Sequence, residues 1–167
     1  MILSEEPSAT FVIIGGGQND LISAQILKNA APEIYAKNII DLTNKINYRQ
    51  TAAVLSLCDM YLGNDTGSMH IAAAVKLPCL AVFAFPKDAP SRRVAATKTS
   101  YPHNFPNVIV QPERALPECA NDIFNHYGCK ANAVHCIAQI VPEKIFEGFH
   151  LLKERAKENN IETLYLS

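Results

Sequence analysis

The chain has 167 residues, 49% of them apolar, and its 15 basic and 16 acidic side chains leave a formal net charge of −1. This balance provides no positive field for a polyanion, which disfavours nucleic acid as a partner. No apolar run reaches the roughly 20 residues that cross a bilayer, and the N-terminus lacks the pattern of a signal peptide. Five widely spaced cysteines do not suggest a secreted disulfide framework, so we predict one domain in the reducing cytoplasm.

Short apolar runs alternate with helical patterns along the first half of the chain. Strands are predicted at residues 11–14, 38–42, 60–63 and 80–83, and helices at 49–58, at 68–76 and between a cap at Asp20 and Pro32. This alternation is typical of βαβ units, which form parallel sheets. Because the strands are continuously apolar, we expect both of their faces to be covered. The sequence therefore predicts a doubly wound, mainly parallel α/β fold.

The second half of the chain is less regular. Long loops are predicted at residues 86–106 and 112–136, with one strand at 107–111 between them. A helix follows at 143–157, with Pro142 at its start, where a first helical turn tolerates proline. Residues 163–166 suit either a short strand or a tail.

The second loop concentrates side chains that bind metals elsewhere. It contains Cys119, His126, Cys129, His135 and Cys136. These residues lack the closely paired ligands of structural zinc sites, so we predict that the loop holds no metal. The remaining two cysteines, at positions 58 and 79, fall in a predicted helix and a predicted strand and are expected in the core.

Three glycines, Gly15 to Gly17, follow the first predicted strand and suggest a dinucleotide-binding turn. The G-x-G-x-x-G spacing is not met, however, because Gln18, Asn19 and Asp20 come next. We therefore predict neither a nicotinamide nor any other cofactor.

The segment from Gly63 to His70 lies between a predicted strand and an alanine-rich helix. In doubly wound sheets, ligands bind where strands end and helices begin, and free N–H groups at a helix start suit a diphosphate. Gly67 would let the backbone approach such a ligand, and Thr66 and Ser68 would add hydroxyl donors. From residue types alone, a helix cap at Asp65 or Thr66, with His70 on the surface, explains the segment more simply.

The run at 62–74, with Leu77-Pro78 and the strand to Phe83, resembles the motif of the lipopolysaccharide heptosyltransferase family of glycosyltransferases. The motif combines Asp-Thr-Gly, a histidine three residues after the glycine, a helix of small residues and a proline before the next strand. The likeness extends upstream to Gly15 and downstream to Pro142-Glu143. It implies a two-lobed GT-B enzyme that transfers a sugar from a nucleoside diphosphate to a saccharide hydroxyl, and this chain resembles the C-terminal, donor-binding lobe.

The resemblance also implies roles for individual residues. The backbone of Thr66, Gly67 and Ser68 would hold the diphosphate, Asp65 would shape the loop, and His70 would lie nearby. Ile46 would line the base pocket, and Asp20 would contact the ribose, unless it serves only as a helix cap. The implied donor is ADP-heptose and the implied acceptor is the lipopolysaccharide core, with the whole enzyme cytoplasmic and peripheral to the inner membrane.

The sequence departs from the family pattern at its start. Residues 1–3 resemble the end of the lobe's first helix, so the family's opening strand, which lies between the strands at 11–14 and 60–63, has no counterpart. We expect the resulting gap to cause homodimerisation, strand exchange or capture of residues 163–166. The family places its catalytic carboxylate in the other lobe, so we predict no catalytic residue here and no transfer by this chain alone. The alternatives are a stand-alone nucleotide-binding module and an interaction module that binds no nucleotide.

Overall fold

A computed structural model describes residues 1–84, 86–87, 105–115 and 136–166 of the chain. These residues form two compact units, Met1–Leu55 and Ser56–Ser167. The described α-helices are α1 (Ile2–Glu5), α2 (Gln18–Ala30), α3 (Tyr48–Leu55), α4 (Gly67–Ala74) and α5 (Pro142–Glu158). The described strands are β1 (Phe11–Ile13), β2 (Ile39–Asp41), β3 (Tyr61–Asn64), β4 (Cys79–Val82), β5 (Asn107–Val110) and β6 (Thr163–Leu166).

The first unit contains a two-stranded parallel sheet. β1 pairs with β2 in register from Phe11 opposite Ile39 to Ile13 opposite Asp41. All three residues of β1 are only half-buried, and Ile40 on β2 is 46% exposed. The expectation that every strand is covered on both faces is therefore wrong for this unit, although the strands are parallel as predicted.

The helix α2 of the first unit buries little of its apolar surface. Ala24 is its one buried residue, whereas Ile22 and Ile26 are 50% and 63% exposed. Its start also differs from the prediction, because Gly17 is the N-cap and Asp20 lies in the first turn. Asp20 is thus not the helix cap that the sequence suggested.

The second unit is built on a four-stranded parallel sheet in the order β3-β4-β5-β6. The core lies here, and every residue of β5 is buried. Leu80, Phe83 and Ile109 are fully buried, as continuously apolar parallel strands require. The helix α5 packs closely against this sheet, since a Cβ at Gly148 would lie 2.7 Å from Cδ1 of Leu80. The prediction of an α/β fold with parallel sheets is confirmed.

The pairing of the strands tests the gap that was expected between the strands at residues 11–14 and 60–63. No ladder joins β1 to β3 among the described strands, which form separate sheets. Capture of residues 163–166 into the gap is wrong, because β6 pairs with β5, with Thr163 opposite Asn107. β5 is therefore paired on both edges, with β4 on one side and β6 on the other. Dimerisation and strand exchange through the edges of β1 and β3 stay predictions.

Most predicted elements are found with ends shifted by one to three residues. The largest shift is in α3, which ends at Leu55, so Cys58 lies beyond the helix and is half-buried rather than in the core. Cys79 on β4 is fully buried, as expected. A 3-10 helix at Glu33–Asn38 was not predicted. Most of the two predicted loops, with Cys119, His126, Cys129 and His135, lies outside the described residues.

A buried amide and a carboxylate order the loops of the first unit. Asn38 donates from Nδ2 to the carbonyl oxygens of Pro7 and Ala9, at 3.1 and 2.8 Å. Asp41 accepts the N–H of Thr43 at Oδ1, 3.0 Å away, and pairs with Lys28 across 3.3 Å. The Thr43 hydrogen bond and, after it, Lys28 lower the pKa of Asp41 to about 2.

The lowered pKa of Asp41 makes the stability of the protein depend on acid pH. Because the folded-state pKa lies below the unfolded value of about 3.9, the ionised carboxylate stabilises the fold above about pH 4. This contribution should disappear as the pH falls through about 2. We expect Asp41→Asn to lower the melting temperature at pH 7, and the gap to the parent protein to narrow at pH 3. Lys28→Met should lower the melting temperature less, because the hydrogen bond from Thr43 remains. A gap independent of pH would contradict this prediction.

None of the described helices combines the length and the apolar character needed to cross a membrane.

Candidate functional site

Residues 65–70, which link β3 to α4 and include the first residues of that helix, are called the turn below and contain five of the seven predicted donor-binding residues. β3 ends at Asn64, the Asp65 N–H donates to the Val82 carbonyl oxygen of β4 at 3.2 Å, and α4 begins at Gly67. The turn therefore lies at the carboxyl edge of the sheet in the second unit. The structure brings together Asp65, Thr66, Gly67, Ser68 and His70 at this edge. All of them are exposed except Ser68, which is half-buried.

The start of α4 presents backbone donors to solvent. Thr66 is the N-cap, and its carbonyl oxygen accepts the N–H of Met69 at 3.0 Å and of His70 at 3.4 Å. Its side chain makes no capping hydrogen bond. The N–H groups of Gly67 and Ser68 have no acceptor among the described residues, because the helical hydrogen bonds of α4 begin with the N–H of Met69.

Gly67 has open space where a side chain would be. A Cβ built on it meets no described atom within 4 Å beyond its chain neighbours and its own helix backbone. Its φ angle also lies outside the positive range that favours glycine. Neither the backbone conformation nor the packing of the described residues therefore requires glycine here.

Asp65 and His70 face each other across the first turn of α4. His70 Nε2 lies 3.8 Å from Asp65 Oδ1, and the two side chains are 56% and 34% exposed, respectively. Burial raises the pKa of Asp65, and the neighbouring His70 opposes that shift. The pair therefore places a carboxylate and an imidazole, both accessible to solvent, beside the open N–H groups.

Below the turn lies a residue that the sequence analysis missed. Tyr61, the first residue of β3, is 7% exposed, and burial raises the pKa of its hydroxyl. Its ring covers Gly63, where a Cβ would lie 2.6 Å from the Tyr61 Cζ. A tyrosine two residues before a glycine on one strand was the available sign, because such residues share a face of the sheet.

Asp20 and Ile46, the other two predicted donor-binding residues, lie in the first unit. Asp20 Oδ2 accepts the Gly16 N–H at 2.7 Å, so the carboxylate has a structural partner in the glycine turn. Ile46 is half-buried, in the segment between β2 and α3. Contacts of these two residues with ribose and base stay predictions.

The triple-glycine turn is closed by side chains. Besides the bond from Gly16 to Asp20, the Gly17 N–H donates to Oδ1 of Asn44 at 2.7 Å. Asn44 itself adopts a left-handed conformation, with φ of 58°, and its N–H donates to the Gly15 carbonyl oxygen at 3.0 Å. Two N–H groups of the glycine turn therefore already have side-chain oxygen acceptors.

Comparisons with known proteins bear directly on this turn. Residues 5–111 match the sequence model of glycosyltransferase family 9 (heptosyltransferase). Lipooligosaccharide heptosyltransferase 2 of Haemophilus influenzae is 31% identical over 72 residues, which are 43% of this chain and 21% of that protein. The protein of the same name from Campylobacter jejuni is 28% identical over 123 residues, which are 74% of this chain and 33% of that protein.

A solved structure agrees on the fold. The crystal structure of the glycosyl transferase family 9 protein from Veillonella parvula DSM 2008 matches with a TM-score of 0.63 and 18% identity, over 89% of this chain and 38% of that one. The chain spans a third or less of the length of the two curated relatives. The family match covers more than half of the chain and includes the turn from Asp65 to His70. The chain belongs to glycosyltransferase family 9, the heptosyltransferase family.

Proposed function

We propose that this chain binds a nucleoside diphosphate sugar at the start of α4, as the donor-binding lobe of a GT-B heptosyltransferase. The observation that carries the proposal is the pair of open N–H groups, on Gly67 and Ser68, at the carboxyl edge of a parallel sheet. A helix start carries about half a unit of positive charge, and ligands of open α/β sheets bind at this edge. A diphosphate fits both properties.

Each residue of the turn has a distinct role in the proposal. The backbone of Thr66, Gly67 and Ser68 holds the diphosphate, and the Ser68 hydroxyl adds a donor. His70 is exposed and its Nε2 lies 3.8 Å from Oδ1 of Asp65, so the imidazole can approach an anionic ligand while the carboxylate limits the orientation of the ring. Asp65 thereby orients His70 as well as shaping the turn.

The identity of the donor and of the acceptor rests on family membership. The curated relatives are named lipooligosaccharide heptosyltransferases, which supports ADP-heptose as donor and a lipopolysaccharide core as acceptor. In this proposal residues 1–167 form one doubly wound, Rossmann-like lobe. Ile46 lines its base pocket and Asp20 contacts the ribose.

Sugar transfer requires a base for the acceptor hydroxyl, which is worth typically 10²–10⁴-fold in rate. In the turn, Asp65 is the nearby carboxylate, and it belongs to the donor side through its pairing with His70. We therefore propose that the catalytic carboxylate and the acceptor site belong to a second lobe, and that these 167 residues bind donor without transferring it.

The test of the proposal is thermal stabilisation by ADP, UDP and GDP. A ligand that binds only the folded state adds about 2.7 kcal/mol at 100 times its dissociation constant, so a clear rise in melting temperature is expected. ADP should give the largest rise at equal concentration. A larger rise with UDP or GDP would indicate that the donor carries uracil or guanine instead of adenine. No rise with any of the three, up to millimolar concentration, would favour an interaction module that binds no nucleotide.

A further inference from the structure

A cleft opens in the second unit where β5 ends and α5 begins. One of its sides is formed by the residues from Gln111 to Glu113, which follow β5, and the other by those from Gln139 to Lys144, which lead into α5. Gln139 joins the two sides, because its Nε2 donates to the Arg114 carbonyl oxygen at 2.9 Å. The cleft has a volume of about 230 Å³, below the roughly 300–1,000 Å³ of pockets for drug-sized ligands. It lies at the carboxyl edge of the sheet, where open α/β sheets bind their ligands, and its size suits a small one.

Gln111 places a buried amide in this cleft. The residue is 7% exposed and lines the cleft, and its backbone N–H donates to the Leu166 carbonyl oxygen of β6 at 3.0 Å. Its side-chain amide, in contrast, has no hydrogen-bond partner in the part of the chain that the structure describes. Buried polar side chains in folded proteins are nearly always hydrogen-bonded, so this amide needs an explanation. A ligand in the cleft would supply its partners.

The start of α5 does not suit an anionic ligand, although helix starts often do. Pro142 occupies the first turn and has no N–H to donate, and Glu143 places a negative charge beside it. Glu113 adds a second carboxylate at the cleft itself. These groups favour a neutral ligand over a phosphate.

The polar groups that line the cleft suit hydroxyls. The Gln111 amide both donates and accepts, the Glu113 carboxylate accepts, and the Lys144 ammonium donates. Val110 and Val141 supply apolar walls between these groups. A saccharide ring carries hydroxyls at its rim and C–H groups on its faces, so it matches both kinds of lining.

We propose that the cleft between the end of β5 and the start of α5 binds a neutral saccharide ring, and that the Gln111 amide hydrogen-bonds to its hydroxyls. This site is separate from the turn, since β5 lies two strands away from β3. Neighbouring strands are about 4.7–4.9 Å apart, which puts the two sites about 10 Å apart along the edge of the sheet. The inference goes beyond the proposed function, which concerns the diphosphate. The ring is either the sugar of the donor or a separate saccharide, and both have the same chemistry.

Nuclear magnetic resonance of the ¹⁵N-labelled protein tests the site, because it detects weak binding at single side-chain amides. D-glucose, D-mannose and a D-manno-heptose are titrated separately into the millimolar range. The side-chain amide signals of Gln111, identified by their loss in Gln111→Met, should shift in a saturable manner with at least one of these sugars. Inorganic phosphate should leave the same signals unshifted.

The variant Gln111→Met separates recognition of a ligand from a structural role. Followed through the backbone amides of the cleft, its affinity for the sugar should fall roughly 2- to 13-fold for each hydrogen bond lost. The melting temperature of the free protein should not fall, because the replaced amide has no partner among the described residues. Gln25→Met is the matched control, since Gln25 is exposed on α2 and its amide donates to Asn29, and it should bind the sugar as the parent does.

ADP-glucose and ADP distinguish the two sources of the ring. If the ring belongs to the donor, ADP-glucose shifts the Gln111 signals at lower concentration than free D-glucose does, and ADP does not shift them. If the ring belongs to a separate saccharide, a free sugar shifts them and ADP-glucose acts at no lower concentration than D-glucose.

Three results would overturn the proposal. They are Gln111 signals that no sugar or nucleotide sugar shifts, signals that phosphate shifts instead, and a Gln111→Met variant that binds the sugar as the parent does or melts at a lower temperature. Sugar-dependent shifts in a protein that binds no ADP would remove the proposed function and leave the saccharide site. ADP binding without such shifts would remove the saccharide site and leave the proposed function.

Discussion

Replacing Gly67 by valine should reduce the affinity for a nucleoside diphosphate by about 100-fold or more, equivalent to about 2.7 kcal/mol, because the new side chain occupies the path of the phosphate. The structure makes this substitution unusually informative. A Cβ at Gly67 meets no described atom within 4 Å outside its immediate backbone surroundings, so the variant should fold with an unchanged melting temperature. Isothermal calorimetry with ADP measures the loss.

Two further variants locate the effect at the start of α4. Gly67→Ala adds a single methyl group and should cost less affinity than valine. Ala74→Val adds bulk to the same helix at its exposed far end and should bind ADP as the parent does. An unchanged dissociation constant in Gly67→Val would place the diphosphate elsewhere. An equal loss in Ala74→Val would mean that the affinity depends on the stability of the helix rather than on access to its first turn.

The sequence predicted the second unit better than the first. Continuously apolar runs specify the buried strands β4 and β5, where Leu80 and Ile109 are fully buried. The same kind of run produced β1, whose residues are only half-buried. The apolar pattern of a strand indicates which of its side chains can be buried, but it does not indicate whether another helix or strand lies over them. Exposure in the first unit therefore could not be predicted from the pattern.

The residues of the turn were predictable, but their contacts were not. The positions of Asp65 to His70 followed from a motif in which a strand leads into a helix of small residues. The position of the Tyr61 ring over Gly63 depends on the side chain of one strand residue running along the strand past a glycine two positions later. The prediction that Asp20 caps α2 was wrong. Aspartate is a typical capping residue, but Asp20 lies in the first turn of the helix and accepts the Gly16 N–H. The local sequence therefore indicates which residues can cap a helix or line a site, and the tertiary contacts determine which of them do so.

Truncation of Leu152 to alanine should destabilise the protein by about 2–5 kcal/mol, since a buried leucine loses both its transfer free energy and its packing. Leu152 lies on α5 and is fully buried, in the helix whose Gly148 approaches Leu80 and Val110 of the sheet. Leu57→Ala is the matched control, because Leu57 is 87% exposed, and it should change stability by no more than about 0.5 kcal/mol. Urea unfolding followed by far-ultraviolet circular dichroism measures both variants.

The same pair of variants separates stability from ligand binding. α5 anchors the sheet at β4 and β5, whereas the proposed diphosphate contacts lie on the turn that begins α4. Under conditions in which Leu152→Ala remains folded, its ADP affinity should therefore stay within about twofold of the parent value, well under the tenfold that 1.4 kcal/mol represents. A loss of stability near that of Leu57→Ala would contradict the packing of α5 on the sheet. A parallel loss of affinity and stability would show that the turn takes its shape from the core of the second unit as a whole, and not from local contacts such as the hydrogen bond from the Asp65 N–H to Val82.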